Sequence, residues 1–220
     1  MNQLSIFFLC FSNGMHPEIF SKSQVELLPY IKRFQRSFYM VGGTAIALHL
    51  GHRRSIDFDL FTPVRLVKHR IKNKLKEIPY NQVALFEDYD QLHLSVNNVK
   101  VTFFSFPYPI EHEIKVDSLI SIPSLITLAS MKAFALGGRA KWKDYVDLYF
   151  ILKDHYTIKD ISKAATINFG QMFSEKLFRE QLAFHKDIDY SEPVEYLSTP
   201  VAEPKIKEFL IEKSIDIGPI

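Results

Sequence analysis

The sequence is poor in features that mark extracellular or membrane proteins. Its 220 residues include a single cysteine, Cys10, so no disulfide can form within the chain. This cysteine usage is typical of the reducing cytoplasm, where we expect the protein to act. The apolar run at residues 4–11 is far too short to cross a bilayer, so we expect no membrane partner.

The chain also lacks a large excess of positive or negative charge. The formal net charge is +2, which is too small to indicate a nucleic-acid partner by itself. The content of 47% hydrophobic and 24% charged residues is instead typical of a globular protein that buries a substantial core. Composition therefore leaves the function open, and local patterns have to decide it.

Strand patterns are concentrated in the first half of the chain and helical patterns in the second. We predict strands at 38–41, 56–61, 81–86, 91–96 and 99–106, and helices at 17–35, 44–50, 64–77, 123–137, 142–153, 158–168, 174–184 and 203–214. This order predicts an α+β fold, in which a mixed-sheet core with helices is followed by a C-terminal helical subdomain.

The predicted boundaries are a core at 15–115 and a helical subdomain at 116–220. Residues 1–14 are expected to be an extension. It is either disordered or lies upstream of a translation start at Met15, and an added strand or a packed apolar arm is the alternative.

The residues with the clearest chemical pattern lie within residues 39–63. A strand leads into Gly42-Gly43, a short helix follows, and the next strand carries Asp57 and Asp59. Alternate residues of a strand point to the same side, so the two carboxylates are expected to share one face. Adjacent carboxylates repel each other unless a cation lies between them, and Mg²⁺ prefers oxygen ligands and binds substrate phosphates. The pattern therefore predicts a Mg²⁺ site, with room for a two-metal arrangement.

The two glycines predict a phosphate site beside these carboxylates. Gly42 and Gly43 have no Cβ, so a phosphate can approach the backbone closely. The helix that begins near Thr44 directs amide N–H groups and its positive dipole end at such an anion, and the threonine hydroxyl could add a hydrogen bond. Arg53 and Arg54 could hold phosphate or brace the aspartates.

The block GGTAIALHLGHRRSIDFDLF resembles the nucleotide- and metal-binding motif of the DNA polymerase β-like nucleotidyltransferase superfamily. It is most similar to the AbiEii/AbiGii toxin family, over about residues 15–155. The resemblance implies a nucleotidyltransferase-like core and a Mg²⁺-dependent enzyme that moves a nucleotide from an NTP to an acceptor. It further implies the toxin of a toxin–antitoxin or phage-defence system, with tRNA as the acceptor and a cognate antitoxin as a partner.

A second block, MKAFALGGRAKWKDYVDLYFIL at residues 131–152, is similar to the downstream motif of the same family. The resemblance implies that Lys132 contacts the NTP phosphates and that Asp144 orients or ligates. A basic cluster of Arg139, Lys141 and Lys143 precedes the second helix and suits phosphate, either of an NTP or of an RNA backbone. The alternative is structural: Asp144 at the helix start and an ion pair with the neighbouring cations.

The two blocks together predict one set of site residues. The predicted catalytic residues are Asp57, Asp59, Lys132 and Asp144, the predicted metal ligands are Asp57 and Asp59, and the predicted nucleotide-binding residues are Gly42, Gly43, Thr44, Arg54, Ser55, Arg139 and Lys143.

One position departs from the superfamily pattern. A third carboxylate usually lies on a later strand, and the matching position here is Thr102, which cannot act as a general base and is a poor Mg²⁺ ligand. If strands 99–106 and 56–61 are neighbours, Thr102 should face Asp57 and Asp59. The base would then be Asp144, another carboxylate or the substrate. Two other functions stay open: a non-catalytic nucleotide- or RNA-binding protein with a degenerate site, and an enzyme that modifies a protein or a small molecule.

Overall fold

The computed structural model describes residues 14–116 and 119–216. The prediction of an N-terminal extension therefore lies outside the described residues, apart from Gly14. The chain divides into two compact units, one up to Ser124 and one from Leu125 onward. Within the described ranges, no helix is long and apolar enough to span a bilayer.

The first unit contains a five-stranded sheet with helices. Its strands are β1 (Tyr39–Val41), β2 (Phe58–Thr62), β3 (Gln82–Asp88), β4 (Gln91–Val96) and β5 (Val99–Ser105), and its helices are α1 (Lys22–Ile31), α2 (Gly42–Leu50) and α3 (Lys68–Lys76). The strand order is β1-β2-β5-β4-β3. β2 and β5 pair in parallel and the other pairs are antiparallel, so the sheet is mixed, as predicted.

A second, two-stranded sheet is formed by β6 (Ile114–Val116) and β7 (Ile120–Ile122). No strand was predicted in this part of the chain. Each of these strands has three residues, which is too short for an alternation of apolar and polar residues to stand out.

Several ends of these elements follow from local chemistry. Asn97 and Asn98 have φ of 52° and 62°, the left-handed values that a tight hairpin between β4 and β5 requires, which confirms the predicted turn. Gly51, with φ of 63°, ends α2 in the left-handed conformation. The helix predicted at 17–35 is instead divided, because Ser21 and Gln24 form a capping box that starts α1 at Lys22.

The sheet has an apolar face and a mixed face. On β5, Val101 and Phe103 are at most 1% exposed and belong to the core. Lys100, Thr102 and Phe104 alternate with them and therefore point to the other side. This mixed face of β5 is the one on which the candidate active site lies.

The second unit is helical. It contains α4 (Leu125–Leu136), α5 (Trp142–Asp154), α6 (Ile158–Phe169), α7 (Glu175–Ala183) and α8 (Glu203–Ile215), and each helix ends within two residues of its predicted bounds. Strong local signals explain this agreement. Thr157 and Asp160 form a capping box at the start of α6, and the Ser174 hydroxyl caps α7.

Candidate active site

Asp57 and Asp59 lie at the start of β2, and both are half-buried. β2 begins at Phe58, two residues later than predicted, so Asp57 lies just ahead of the strand and strand alternation does not place it. Its position is set by a hydrogen bond instead. The Thr44 hydroxyl donates to the Asp57 carbonyl oxygen at 2.5 Å, which ties this residue to α2.

Gly42 brings the Asp59 carboxylate against the first turn of α2. Its φ is +73°, a conformation that L-residues rarely adopt, and a Cβ built on it would lie 2.2 Å from Asp59 Oδ2. Only glycine therefore allows this approach. The positive end of the α2 dipole lies at the same turn and stabilises a negative charge there.

The neighbouring glycine, Gly43, lies close to the guanidinium of Arg53. A Cβ at this position would lie 2.6 Å from Arg53 Nη2 and 3.2 Å from Ser55 Oγ. Arg53 is 1% exposed, and its Nη1 donates to the Arg54 carbonyl oxygen at 2.9 Å. At Gly43, where a phosphate was predicted to approach the backbone, the buried Arg53 guanidinium therefore occupies the space that a Cβ would take.

Thr44 and Arg54, both predicted to bind nucleotide, have internal partners. The Thr44 hydroxyl is 1% exposed and lies 2.9 Å from Ser55 Oγ. Arg54 Nη1 donates to the carbonyl oxygens of Glu18 and Phe20 at 3.2 and 3.4 Å. These contacts hold the segment before β2 in place. Nucleotide binding by the two side chains stays a prediction.

The sheet register places Thr102 beside Asp59. Asp59 pairs with Thr102 across the parallel β2–β5 ladder. Directly paired residues of neighbouring strands point to the same side of a sheet. The expectation that Thr102 faces Asp59 is therefore confirmed, whereas the ladder begins at Phe58 and does not include Asp57. The position of the usual third carboxylate carries a hydroxyl.

Asp59 and Thr102 belong to a row of paired side chains across the sheet that continues to His93. His93 was not among the predicted site residues. His93 pairs with Thr102 across the antiparallel β4–β5 ladder, so Asp59, Thr102 and His93 share one face. Partial burial and then Lys100 lower the pKa of His93, and Asp59 opposes them. Alternation along the predicted strand 91–96 puts His93 on its polar side, but only the pairing shows that this side faces Asp59.

Asp57 and Asp59 suit a Mg²⁺ ion whose remaining ligands come from the substrate and from water, rather than an ion enclosed by protein ligands. In the described part of the chain, no three or more His, Cys, Asp or Glu side chains converge as a metal site. Mg²⁺ is commonly held by one or two carboxylates, with substrate phosphates and water completing its shell. Asp57 and Asp59 fit that requirement, and the approach that Gly42 allows keeps one carboxylate at the end of α2.

The second unit contains a buried ion-pair network, which we call the Lys132 network. Lys132 Nζ lies 2.7 Å from Asp144 Oδ1 and 3.0 Å from Asp147 Oδ2, and the three side chains are at most 5% exposed. Burial lowers the pKa of Lys132, but Asp144 and Asp147 outweigh it, and the pKa is raised overall. Lys132 is therefore positively charged and held by two carboxylates.

Arg139 completes this network at its surface. Its Nε lies 3.0 Å from Asp144 Oδ2, and its side chain is 53% exposed. Both oxygens of Asp144 therefore have cationic partners, which is unlike a free general base. These contacts favour the structural alternative for Lys132 and Asp144, and they leave Arg139 as the cation that a phosphate can reach.

The rest of the basic cluster is paired with one carboxylate. Glu192 forms an ion pair with Lys141 and lies 3.3 Å from Lys143 Nζ. The Trp142 N–H donates to the Asp189 carbonyl oxygen at 3.0 Å and the Asp189 N–H donates to the Ala140 carbonyl oxygen at 2.7 Å, which brings the two segments together. Lys143, predicted to bind nucleotide, is therefore partly neutralised within the second unit.

Comparison with known proteins identifies the family. Residues 31–212 match the family described as nucleotidyl transferase AbiEii toxin, Type IV TA system. The chain belongs to this family. A relative, the uncharacterized protein aq_aa25 of Aquifex aeolicus, is 31% identical over 79% of this chain and 88% of its own length.

Solved structures share the fold of this AbiEii-family chain. MenT4, a nucleotidyltransferase toxin from Mycobacterium tuberculosis, has a TM-score of 0.60 at 14% identity and covers 88% of this chain and 80% of its own. A putative nucleotidyltransferase from H. pylori has a TM-score of 0.54 at 15% identity, over 87% of this chain and 91% of its own. JHP933 from Helicobacter pylori has a TM-score of 0.52 at 15% identity, over 91% of both chains.

These findings confirm the α+β fold and the enzyme class. As a member of the AbiEii family, the protein is a nucleotidyltransferase and belongs to the toxins of toxin–antitoxin systems.

Proposed function

We propose that the protein transfers a nucleotide from an NTP to an acceptor in a Mg²⁺-dependent reaction, at the sheet face that carries Asp57 and Asp59. The observation that carries this proposal is the approach of Asp59 to the first turn of α2, which only Gly42 permits. A half-buried carboxylate pair at a helix N-terminus combines metal ligands with amide groups that can receive phosphate oxygens.

The site residues of the first unit have separate proposed roles. Mg²⁺ held by Asp57, Asp59 and the substrate phosphates would neutralise charge on the phosphates and on the leaving pyrophosphate. The first-turn amide groups at Gly42 and Gly43 would bind phosphate oxygens. Buried Arg53 adds a fixed positive charge beside that turn.

In the second unit we propose phosphate binding by Arg139 and Lys143. Arg139 has an exposed guanidinium whose position depends on Asp144, and Asp144 in turn depends on Lys132. Lys132 and Asp144 are thus proposed to act on catalysis through Arg139. Phosphate of an NTP and of an RNA backbone would be recognised by the same chemistry.

We propose tRNA as the acceptor, a cognate antitoxin as the partner and the cytoplasm as the place of action. Family membership supports the toxin part of this proposal. A protein hydroxyl and a small molecule are the competing acceptors. The three acceptors can be distinguished by whether label from the NTP is found in tRNA, in protein or in a small molecule.

The test is transfer of label from each of the four α-labelled NTPs into total tRNA or total protein, with Mg²⁺ or with EDTA. We expect label in tRNA that requires Mg²⁺. Asp59→Asn should reduce transfer by about 10²–10³-fold, the scale for losing one electrostatic stabiliser of a transition state. Asp88→Asn, which changes an exposed carboxylate of β3, is the matched control and should retain activity.

The outcomes separate the competing functions. Label in protein would replace tRNA with a protein acceptor. NTP binding without transfer to any acceptor would make this a nucleotide-binding protein with a degenerate site. Expression of the wild type should slow bacterial growth, and Asp59→Asn should relieve this; equal arrest by both would argue against catalysis as its cause.

A further inference from the structure

The active-site face lacks a proton acceptor at the usual position. An acceptor hydroxyl has to lose its proton when its oxygen attacks phosphorus, and Thr102 stands where the superfamily places a carboxylate. In the second unit, Asp144 is saturated by Lys132 and Arg139. The proton therefore has to go to another group, and side chains on the same sheet face are the candidates.

His93 is placed for this task by the strand register. It follows Thr102 in the row that starts at Asp59, one strand further across the sheet. Neighbouring strands are about 4.8 Å apart, so the Cα atoms of Asp59 and His93 are separated by roughly 10 Å. Thr102, whose side chain is shorter than the imidazole, lies between His93 and Asp59 in this row.

The hydrogen bond of the ring leaves one nitrogen available as a base. His93 Nε2 lies 3.0 Å from Gln91 Oε1. An amide oxygen can only accept, so Nε2 carries the proton of the neutral ring and Nδ1 keeps its lone pair. Gln91 is two residues away on the same side of β4, so the strand itself holds this tautomer.

The His93 ring lies near the edge of the sheet and is partly exposed. His93 is half-buried, and the ring of Phe86 lies 5.3 Å from it on the edge strand β3. Phe86 is 48% exposed, so the row ends at an accessible aromatic side chain. The His93 ring thus lies between a buried threonine, which is 7% exposed, and an exposed aromatic ring.

We propose that His93 is the base for the acceptor in this reaction, an inference that rests on the function proposed above. His93 Nδ1 takes the proton of the acceptor hydroxyl while the hydroxyl oxygen forms a bond to the α-phosphorus of the NTP. The bond from that phosphorus to the bridging oxygen breaks, and pyrophosphate leaves with the electron pair. His93 gives its proton to water after product release.

The test compares His93→Gln and His93→Ala with the wild type at saturating NTP and acceptor. Loss of a general base should slow transfer by about 10²-fold or more. Binding of a non-hydrolysable NTP should stay unchanged, because His93 is not placed among the phosphate or metal ligands. The control is His155→Gln, which changes an exposed histidine of the second unit and should keep full activity.

Two rescue measurements separate a base from a merely structural histidine. Added imidazole should restore part of the rate of His93→Ala, and Thr102→Asp should restore part of the rate of His93→Gln by returning a carboxylate to the usual position. Lack of both rescues, in variants that fold and bind NTP, would overturn the assignment.

The pH profile supplies a further readout. Lys100 and Asp59 are the charged groups that act on the ring, and the pKa of His93 is below its ordinary value. Wild-type transfer should fall as pH drops through that pKa, because a protonated imidazole cannot accept a proton, and His93→Gln should lack this step. If the wild type is active and the His93 variants are equally active, the role of His93 is overturned and the proposed function is not. A wild type inactive with every NTP and acceptor would overturn the proposed function and the role of His93 with it.

Discussion

The two units hold their motif carboxylates in different ways. In the first, Asp57 and Asp59 are half-buried, and Asp59 lies beside the start of α2 on the mixed sheet face. In the second, Lys132 and Asp144 are at most 5% exposed and form ion pairs with each other. Motifs that look equally functional in the sequence thus differ in burial: Asp59 is half-buried at the first turn of α2, whereas Lys132 and Asp144 are buried and paired with each other.

The difference follows from the cost of burying charge. A buried ion that loses its partner destabilises a protein strongly, whereas a half-buried carboxylate keeps part of its hydration. The Lys132 network should therefore support the second unit and position Arg139. Loss of the Asp59 carboxylate should destabilise the protein less than loss of the Lys132 charge does.

The largest effect is expected for Lys132→Met. This change leaves Asp144 and Asp147 buried without their shared cation, which should cost about 3–5 kcal/mol of unfolding free energy. Urea unfolding followed by circular dichroism measures it. Lys153→Met, at a side chain that is 48% exposed, is the control and should change stability by less than about 0.5 kcal/mol. Equal stability of both variants would remove the contrast between the two units.

A smaller loss is expected for Gly42→Ala. The new Cβ would overlap Asp59 Oδ2, and the φ of +73° disfavours an L-residue, which costs about 1–2 kcal/mol. Displacement of Asp59 should also weaken Mg²⁺-dependent NTP binding, measured by equilibrium titration. Gly137→Ala is the control, because its Cβ would meet only the Phe134 carbonyl oxygen at 3.5 Å. Unchanged NTP binding in folded Gly42→Ala would move the nucleotide away from this turn.

The smallest effect is expected for Glu192→Gln. Removing this carboxylate frees Lys141 and Lys143 and should tighten tripolyphosphate binding by about two- to fivefold, the range for exposed ion pairs. The gain should shrink as salt rises. Burial raises the pKa of Glu192, but Lys141 and Lys143 lower it more, so the carboxylate is charged at neutral pH. The wild type should approach the variant as pH falls through that lowered pKa.

The control for this last change is Glu208→Gln, at an exposed carboxylate of α8. It should leave tripolyphosphate affinity unchanged. A similar gain in both variants would mean that overall charge, and not the Glu192 ion pairs, sets the affinity.

Much of the fold could be predicted because its signals are local. Capping residues such as Ser174 mark helix starts, and Asn97-Asn98 marks a hairpin, within a few residues of chain. The sheet partner of β5 was predicted only as a condition, since pairing depends on residues far apart in the chain. β6 and β7 were missed because their three-residue strands carry almost no periodic signal.

The candidate site could be predicted in its residue types but not in their availability. Asp59 and Thr102 were predicted to be neighbours, and the register confirms it. His93 was missed because it joins that row only through a second strand pairing. No sequence pattern reveals that the Arg53 guanidinium lies beside Gly43, 2.6 Å from where a Cβ would be.

By itself, the sequence determined the local structure, the two motif blocks and the family to which they point. The tertiary structure decided which of those residues a ligand can reach. Turn and helix preferences act over a few residues, so they can be read along the chain. Whether a charge such as that of Lys132 is free or paired depends on burial and on partners that packing brings together, and these exist only once the chain has folded.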